Sequence, residues 1–393
     1  MNTLDRVHST IAGGGATSRA FARAHGLGVE PLPTKDQVTS ATIPVLARRP
    51  LVSVVIPCYN YARFLGPCVD SVLRQDGVDT EIVVVDDASI DDTATVAGEL
   101  AARHENVHVL RNDVNRGHVE TFNVGCARAS GEFVTRLDAD DLLTPGALWR
   151  AAAIFERYPS VGLVYGHPEH FSTDTPPRPR TRLAGWTVWD GRVWLRERCR
   201  VGVNCITTPE AVVRAEILAD VGALSTELRF AQDMEFWLRI AAVADVARID
   251  GPDQALHRDH AASMSATVGA GVLTDLRERR RVFEVLFAGV AGRLPDADGL
   301  RALADRALAR QALDRACRAF DRGRAAEESI QEWIDFALQT YPEVVELAEW
   351  RALNRRRSVG PRLAPMMPQF LTRALTRRLA EELAYAHWVR TGL

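Results

Sequence analysis

The stretch Gly131-Glu-Phe-Val-Thr-Arg-Leu-Asp138-Ala139-Asp140-Asp141 delivers three carboxylates within four residues at the end of a short run of strand formers. Carboxylates at that spacing repel one another. A divalent cation held by Asp138 and Asp140 would relieve the repulsion and present a positive site to a phosphate. In a parallel α/β sheet the C-terminal strand edge is also the crevice where ligands bind, which is where such a cation would be useful. Alone, the same residues read equally as an acidic turn capping a helix that starts near Thr144-Pro145. The elements that position them must decide.

Those elements alternate. Leu51–Ile56 is a β-branched apolar run stopped by Pro57-Cys-Tyr59-Asn60, and Leu65, Cys68, Val69, Val72 and Leu73 then keep one helical face. Glu81–Val85 runs into Asp86-Asp87-Ala-Ser89, followed by a helix carrying Val96 and Leu100. Asn106–Leu110 is a third strand, Asn115-Arg-Gly117 a turn, and His118–Ala129 a helix leading into the acidic stretch. Repeated strand, turn and helix predict a mostly parallel sheet with helices on both faces, whose edge gathers 57–60, 86–87, 115–117 and 138–141.

Downstream, a helix to Tyr158 and a strand Val161–Tyr165 continue the sheet. Residues 167–200 turn Pro-, Arg- and Trp-rich and are predicted to be a substrate-facing excursion, with Trp186, Trp189 and Trp194 candidates for stacking on a sugar or base, or for packing. Cys205–Thr208, a helix around Val212–Val221, and a helix opening at Gln232 follow; in the last, Asp233 and Trp237 share a face at i, i+4. Beyond about Met264 the text is helical. The expected organisation is an N-terminal extension over 1–48 with a short helix near Ser18–His25, an α/β domain over 49–268, and a separate all-helical module over 269–393 that serves acceptor choice or self-association.

Composition narrows the function. With 47% hydrophobic residues in 393 the chain can build substantial cores, and a net charge of −3 without a basic stripe argues against nucleic acid as a partner. Six irregularly spaced cysteines read as reduced core thiols. No apolar run approaches the ~20 residues of a membrane helix, and no signal-peptide pattern is present, so a cytoplasmic protein is expected.

Taken in order, these turns resemble the family 2 glycosyltransferases of the GT-A fold. The residues that carry the resemblance are Val54–Asn60, Asp86–Thr93, Asn115–Gly117 with Asn123 and Gly125, Gly131–Phe133, Leu137–Asp141, Gln232–Trp237 and Arg258–Ser265. The resemblance implies an inverting transferase that uses a nucleotide-sugar donor, with UDP expected. It implies that Pro57, Tyr59, Asn60, Asp87, Asn115, Gly117, Asp138 and Ala139 bind the nucleotide, with the Asp87 carboxylate accepting the uracil imide N–H. By the same resemblance Asp140 and His260 hold Mg²⁺ or Mn²⁺, Arg258 meets the diphosphate, and Asp233 is the general base. Gln232, Trp237 and Trp186 are candidate sugar or acceptor contacts.

Three residues depart from the family pattern. Gln232 stands where Glu is commoner, Arg136 occupies a usually apolar strand position and would pair with a cleft acid or face solvent, and His257 replaces an aromatic residue before Arg258. The Gln-x-x-Arg-Trp motif of the processive synthases is absent, so transfer of one sugar at a time to a hydroxyl of a small metabolite or glycan is expected. The rival readings are a sugar nucleotidyltransferase, for which no Gly-rich basic loop follows Leu51–Ile56, and a non-catalytic nucleotide-sugar-binding or scaffolding protein.

Overall fold

The computed structural model describes residues 32–259 and 271–393. In chain order the elements of the first half are β1 (Asp36–Thr39), β2 (Leu51–Cys58), α1 (Ala62–Leu73), β3 (Asp79–Asp86), α2 (Thr93–Arg103), β4 (Val107–Arg111), α3 (His118–Arg128) and β5 (Phe133–Arg136). They continue as β6 (Leu142–Leu143), α4 (Ala147–Arg157), β7 (Val161–Phe171), β8 (Gly185–Trp189), α5 (Gly191–Val201), β9 (Val212–Arg214), α6 (Ala215–Val221), α7 (Gln232–Ala241) and β10 (Asp245–Arg258). The second half holds α8 (Val272–Ala288), α9 (Ala297–Asp321), α10 (Ile330–Thr340), α11 (Ala348–Val359) and α12 (Pro368–Thr391), with short 3₁₀ turns between them.

Among the described residues the strands form one ten-stranded sheet in the order β1-β8-β10-β7-β9-β5-β2-β3-β4, with β6 against β10. The expected parallel core is present: β2 pairs parallel with β3 and β5, and β3 with β4. Because these strands run one way, their ends at Cys58, Asp86, Arg111 and Arg136 meet at one edge, and the acidic turn follows directly from β5. Helix α3 lies close under this edge. A Cβ on Gly125 would come 2.3 Å from Val55, so only glycine allows the approach. Gly131 is forced in the same way, since its Cβ would meet the Ser53 backbone nitrogen at 2.6 Å.

Several local expectations are corrected. Val212–Arg214 is a strand, not the start of a helix: its two valines are buried between β5 and β7, pairing antiparallel with both. Trp186, Trp189 and Trp194 do not face a substrate. They are 3%, 2% and 1% exposed and belong to the apolar cores on the two faces of the sheet, and Trp186 Nε1 donates to Tyr158 Oη at 3.0 Å. Strand β8 is held between β1 and β10, which turns the tryptophans of the excursion inward. Part of the N-terminal extension is therefore structural, because β1 is the edge strand beside β8 and Lys35 pairs with the Asp245 carboxylate. The helix expected near Ser18–His25 lies outside the described residues.

The C-terminal half is helical as expected, but its core does not stop at residue 268. Val55, Val85 and Phe122 of the sheet half share one apolar cluster with Trp194 and Leu195 of α5 and with Leu276, Phe283, Leu308, Leu313 and Trp333 of the helices. Arg279 of α8 and Gln311 of α9 also donate to the last carbonyls of α5, to Gly202 O at 2.5 Å and Val201 O at 2.9 Å. These are orphan acceptors that a helix end must satisfy from elsewhere.

Candidate active site

At the end of β2 the chain turns through Asn60, in the left-handed region at φ 59° that Asn tolerates. Asn60 ties two loops together, its N–H donating to Ser89 Oγ at 2.9 Å and its Oδ1 accepting from Ile90 N at 2.9 Å. Pro57 is buried in the strand end, whereas Tyr59, the next residue but one, is 40% exposed.

Asp87 is 3% exposed and already serves the protein. Its carboxylate accepts from Asn112 Nδ2 at 2.7 Å, from Arg116 N at 2.8 Å and from Gly117 N at 2.8 Å. It thereby fixes the Asn115–Gly117 turn, in which Asn115 Oδ1 also accepts from Gly117 N at 3.2 Å. Asp87 thus fixes the wall of the crevice.

Asp138, Asp140 and Asp141 follow β5, with Ala139 buried between them. Burial first, and then the charges of Asp140, Asp138 and Asp141, push the Tyr61 hydroxyl upward, so the acids project a shared negative potential into this corner. Part of that charge is answered from within. Arg136 Nη2 lies 2.7 Å from Asp138 Oδ1, so the strand position that departs from the family pattern pairs with a cleft acid.

Asp141 is fully buried, accepting from Arg258 N at 2.8 Å and contacting His257 Nδ1 at 2.9 Å. Burial opposes charge on the His257 ring, yet the hydrogen bond and charge of the Asp141 carboxylate outweigh it and raise the ring above the usual imidazole range. This explains the histidine where an aromatic is usual: it neutralises the buried acid and seats β10 on the acidic turn. Arg258 is gripped between the rings of Phe64 and Phe171, 4.8 and 4.4 Å from their centroids, and donates to Asp140 O at 3.2 Å and Thr173 O at 3.0 Å.

The donor set suits a hard divalent cation. Asp138 and Asp140 offer carboxylate oxygens at a partly open turn, Asp138 also pairing with Arg136, while the buried Asp141 is turned to His257 and the Arg258 backbone. Beside them, ligand atoms of His170, His257 and Asp259 lie within 4.8 Å of one another. His260, expected as a ligand, lies outside the described residues.

On the opposite wall Asp233 opens α7, half-buried, and Asn204 Nδ2 donates to its Oδ2 at 2.8 Å. Desolvation raises this carboxyl to about 6, against weaker lowering by the Met234 backbone, Arg136 and Asn204. Gln232 is buried against His118, its amide donating to His118 Nε2. Burial, then Arg136, lowers His118 to about 4 and keeps it a neutral acceptor. A cavity beside Asp233 is lined by Arg136, Thr208, Phe122, Phe236 and Trp237. Trp237 is 4% exposed, and among the described residues its Nε1 has no partner.

Two residues of this wall escaped sequence reading. His118 carried a signal, since it follows Gly117 at a helix start; Asn204 carried none, because it sits in a loop with no motif of its own. A third feature is Thr208, which lines the cavity with φ 141°, held there by the buried Glu210 that accepts from Thr207 N at 2.6 Å and Thr208 N at 3.0 Å. Burial raises Glu210 to about 7.

Comparison with known proteins places this geometry. The family model Glycosyl transferase family 2 matches residues 53–221, which include the crevice turns as far as the acidic one. The uncharacterized protein MT1568 of Mycobacterium tuberculosis is 31% identical over 265 residues, 62% of this chain and 77% of that protein. Chondroitin synthase of Escherichia coli is 35% identical over 131 residues, 33% of this chain but 18% of that protein, so the chain spans a small part of that relative.

Among solved structures, S. aureus TarS 1-349 in complex with UDP-GlcNAc superposes with a TM-score of 0.55 at 19% identity, covering 80% of this chain and 90% of that one. The mannosyltransferase PcManGT from Pyrobaculum calidifontis, in complex with GDP-Man and Mn²⁺, superposes with a TM-score of 0.50 at 20% identity, covering 95% and 97%. Among the described residues no helix is long and apolar enough to cross a membrane. With the crevice, its acidic turn and these relatives in agreement, the chain belongs to glycosyl transferase family 2.

Proposed function

We propose that the protein transfers one sugar at a time from a nucleoside-diphosphate sugar, UDP being the expected nucleoside diphosphate, to a hydroxyl of a small metabolite or glycan, with inversion at the anomeric carbon. The observation that carries the reading is Asp233: a half-buried carboxyl raised to about 6, oriented by Asn204, beside an apolar cavity. A carboxylate tuned toward neutrality is a competent general base near physiological pH.

In this reading Asp233 takes the acceptor hydroxyl proton as that oxygen attacks the anomeric carbon. The bond to the diphosphate oxygen breaks on the opposite face and its electron pair leaves with the nucleotide. Tyr59 stacks on the base, and the turn fixed by Asp87 encloses the nucleoside. Arg258, held at the acidic turn, adds positive charge where the diphosphate would lie. Asp138 and Asp140, with His260, would hold Mg²⁺ or Mn²⁺, which when bound neutralises charge developing on the leaving diphosphate. TarS solved with UDP-GlcNAc and PcManGT solved with GDP-Man and Mn²⁺ support the donor class and leave uridine and guanosine donors both to be tried.

The test is a thermal-shift screen of UDP- and GDP-sugars with and without Mn²⁺. A donor that stabilises the fold only with metal supports the proposal, since a ligand selective for the native state raises the midpoint by mass action. No stabilisation by any nucleotide sugar contradicts it.

A further inference from the structure

The loop that carries Asn204 leaves α5 at Gly202, in the left-handed region at φ 71°, and reaches β9 without forming a regular element. Its backbone is held from outside, and by the C-terminal helices. Val201 O accepts from Gln311 of α9 and Gly202 O from Arg279 of α8, just before Asn204; Cys205 O, just after it, accepts from Trp388 Nε1 of α12 at 3.0 Å. Between these clamps Asn204 spends its side chain on Asp233, with its Oδ1 accepting from Ile206 N at 3.2 Å.

The end of α12 is itself anchored to the sheet. Arg248 of β10, fully buried, donates to Val389 O at 2.9 Å and Arg390 O at 2.8 Å, and Tyr165 Oη of β7 donates to Gly392 O at 3.0 Å. A guanidinium on the last carbonyls of a helix satisfies orphan acceptors and complements the helix dipole. Gly392, at φ 73°, has no room for a side chain, because a Cβ there would lie 2.3 Å from Arg248 Cδ. The register of Trp388 is thereby fixed relative to the same sheet that positions the acidic turn.

We propose that the C-terminal helices position the base: Trp388, with Gln311, holds the 201–205 backbone so that Asn204 orients Asp233 toward the acceptor. Trp388 and Asn204 are positioning residues, and the inference rests on the reading of Asp233 as general base. Sensitivity of turnover to a residue far along the chain then follows from a short run of hydrogen bonds with no substrate contact.

The experiment measures hydrolysis of UDP-GlcNAc, or of GDP-mannose if the donor screen prefers it, in the full-length chain with Mn²⁺. The variants are Trp388→Phe, Gln311→Leu, Asn204→Ala and the Trp388→Phe/Asn204→Ala double. Trp388→Phe keeps a ring and loses the N–H donor. The expected result is a kcat loss of roughly 5- to 20-fold for Trp388→Phe and for Gln311→Leu, with the nucleotide Kd unchanged. The double variant should be no worse than Asn204→Ala alone within about 2-fold, because the two act in series. Unchanged kcat in both clamp variants, multiplicative losses in the double, or a matching loss of nucleotide affinity would each overturn the inference. Asp233→Asn measured alongside separates the two readings. If it retains normal turnover the base assignment itself fails; if it is inactive while both clamp variants are normal, only the positioning role fails.

Discussion

Arg136 reaches the acidic turn from a side chain that is 9% exposed and places Nη2 2.7 Å from Oδ1 of Asp138, which is 33% exposed. Arg136 also lines the cavity beside Asp233, where its charge adds to burial in lowering the His118 ring and works against the burial that raises the Asp233 carboxyl. An arginine here tempers the acids that a cation would meet. Replacing it with methionine, which fills similar space, should tighten Mn²⁺ binding by about 3- to 10-fold, since one like charge is removed from the cation's surroundings. Calorimetric titration of Mn²⁺ in the presence of UDP checks this; weaker binding would show that Arg136 is needed to shape the turn.

Asp87 makes its case through geometry. Three N–H donors converge on its carboxylate, so Asp87→Asn turns one acceptor oxygen into an N–H group facing backbone N–H groups of Arg116 and Gly117. Each broken bond to a charged partner is worth roughly 1.5–3 kcal/mol, so a lower Tm is expected together with a loss of UDP affinity of at least about 10-fold, because the turn that walls the crevice is released. UDP titration and circular dichroism on one sample report both quantities. Retained affinity would remove Asp87 from the nucleotide site.

Continuity of the apolar core across residue 268 predicts that a chain ending there will not behave as a domain. Truncation would uncover Trp194, Leu195 and Cys199 of α5, all at most 1% exposed, together with the α5 carbonyls that Arg279 and Gln311 satisfy. Insolubility or loss of cooperative unfolding is expected. A soluble fragment with a sharp thermal transition would restore the helical half as an independent module.

Much of the fold was legible in the sequence because its signals are local. The β-branched runs at Leu51–Ile56 and Glu81–Val85 are buried strands, and their acidic or polar ends meet at one edge because parallel pairing allows nothing else. Trp186, Trp189 and Trp194 were ambiguous for the opposite reason: whether an indole faces solvent or core depends on which strands flank β8, and those come from residues 36–39 and 246–250. The same holds for His257, whose partner Asp141 lies far away in sequence, and for Asn204, whose role exists only once α7 packs beside its loop. Non-local pairing leaves no mark on local text.

The Asp233 carboxyl also predicts a trade between activity and stability. Its pKa rises on folding from 3.8 to about 6, so the folded state favours the neutral form, and stability attached to this group is present below pH 3.8 and lost as pH rises through about 6. Activity runs the other way, rising with pH through about 6 as the base ionises. Asp233→Asn should therefore raise Tm relative to wild type at pH 8, with the gap closing toward pH 4. Scanning calorimetry at both pH values decides it; a lower Tm at pH 8 would mean that the ionised carboxylate is stabilised by its neighbours.

The central claim, single displacement with Asp233 as base, is tested most directly by time-resolved proton NMR of donor hydrolysis, with water standing in for the acceptor. From an α-linked UDP-sugar the account predicts that the β-anomer appears first, before mutarotation. It also predicts that Asp233→Asn slows its appearance by ~10²–10⁴-fold, the usual worth of a positioned base, while UDP affinity stays within about 2-fold. Initial release of the α-anomer, or an Asp233→Asn rate close to wild type, would contradict it.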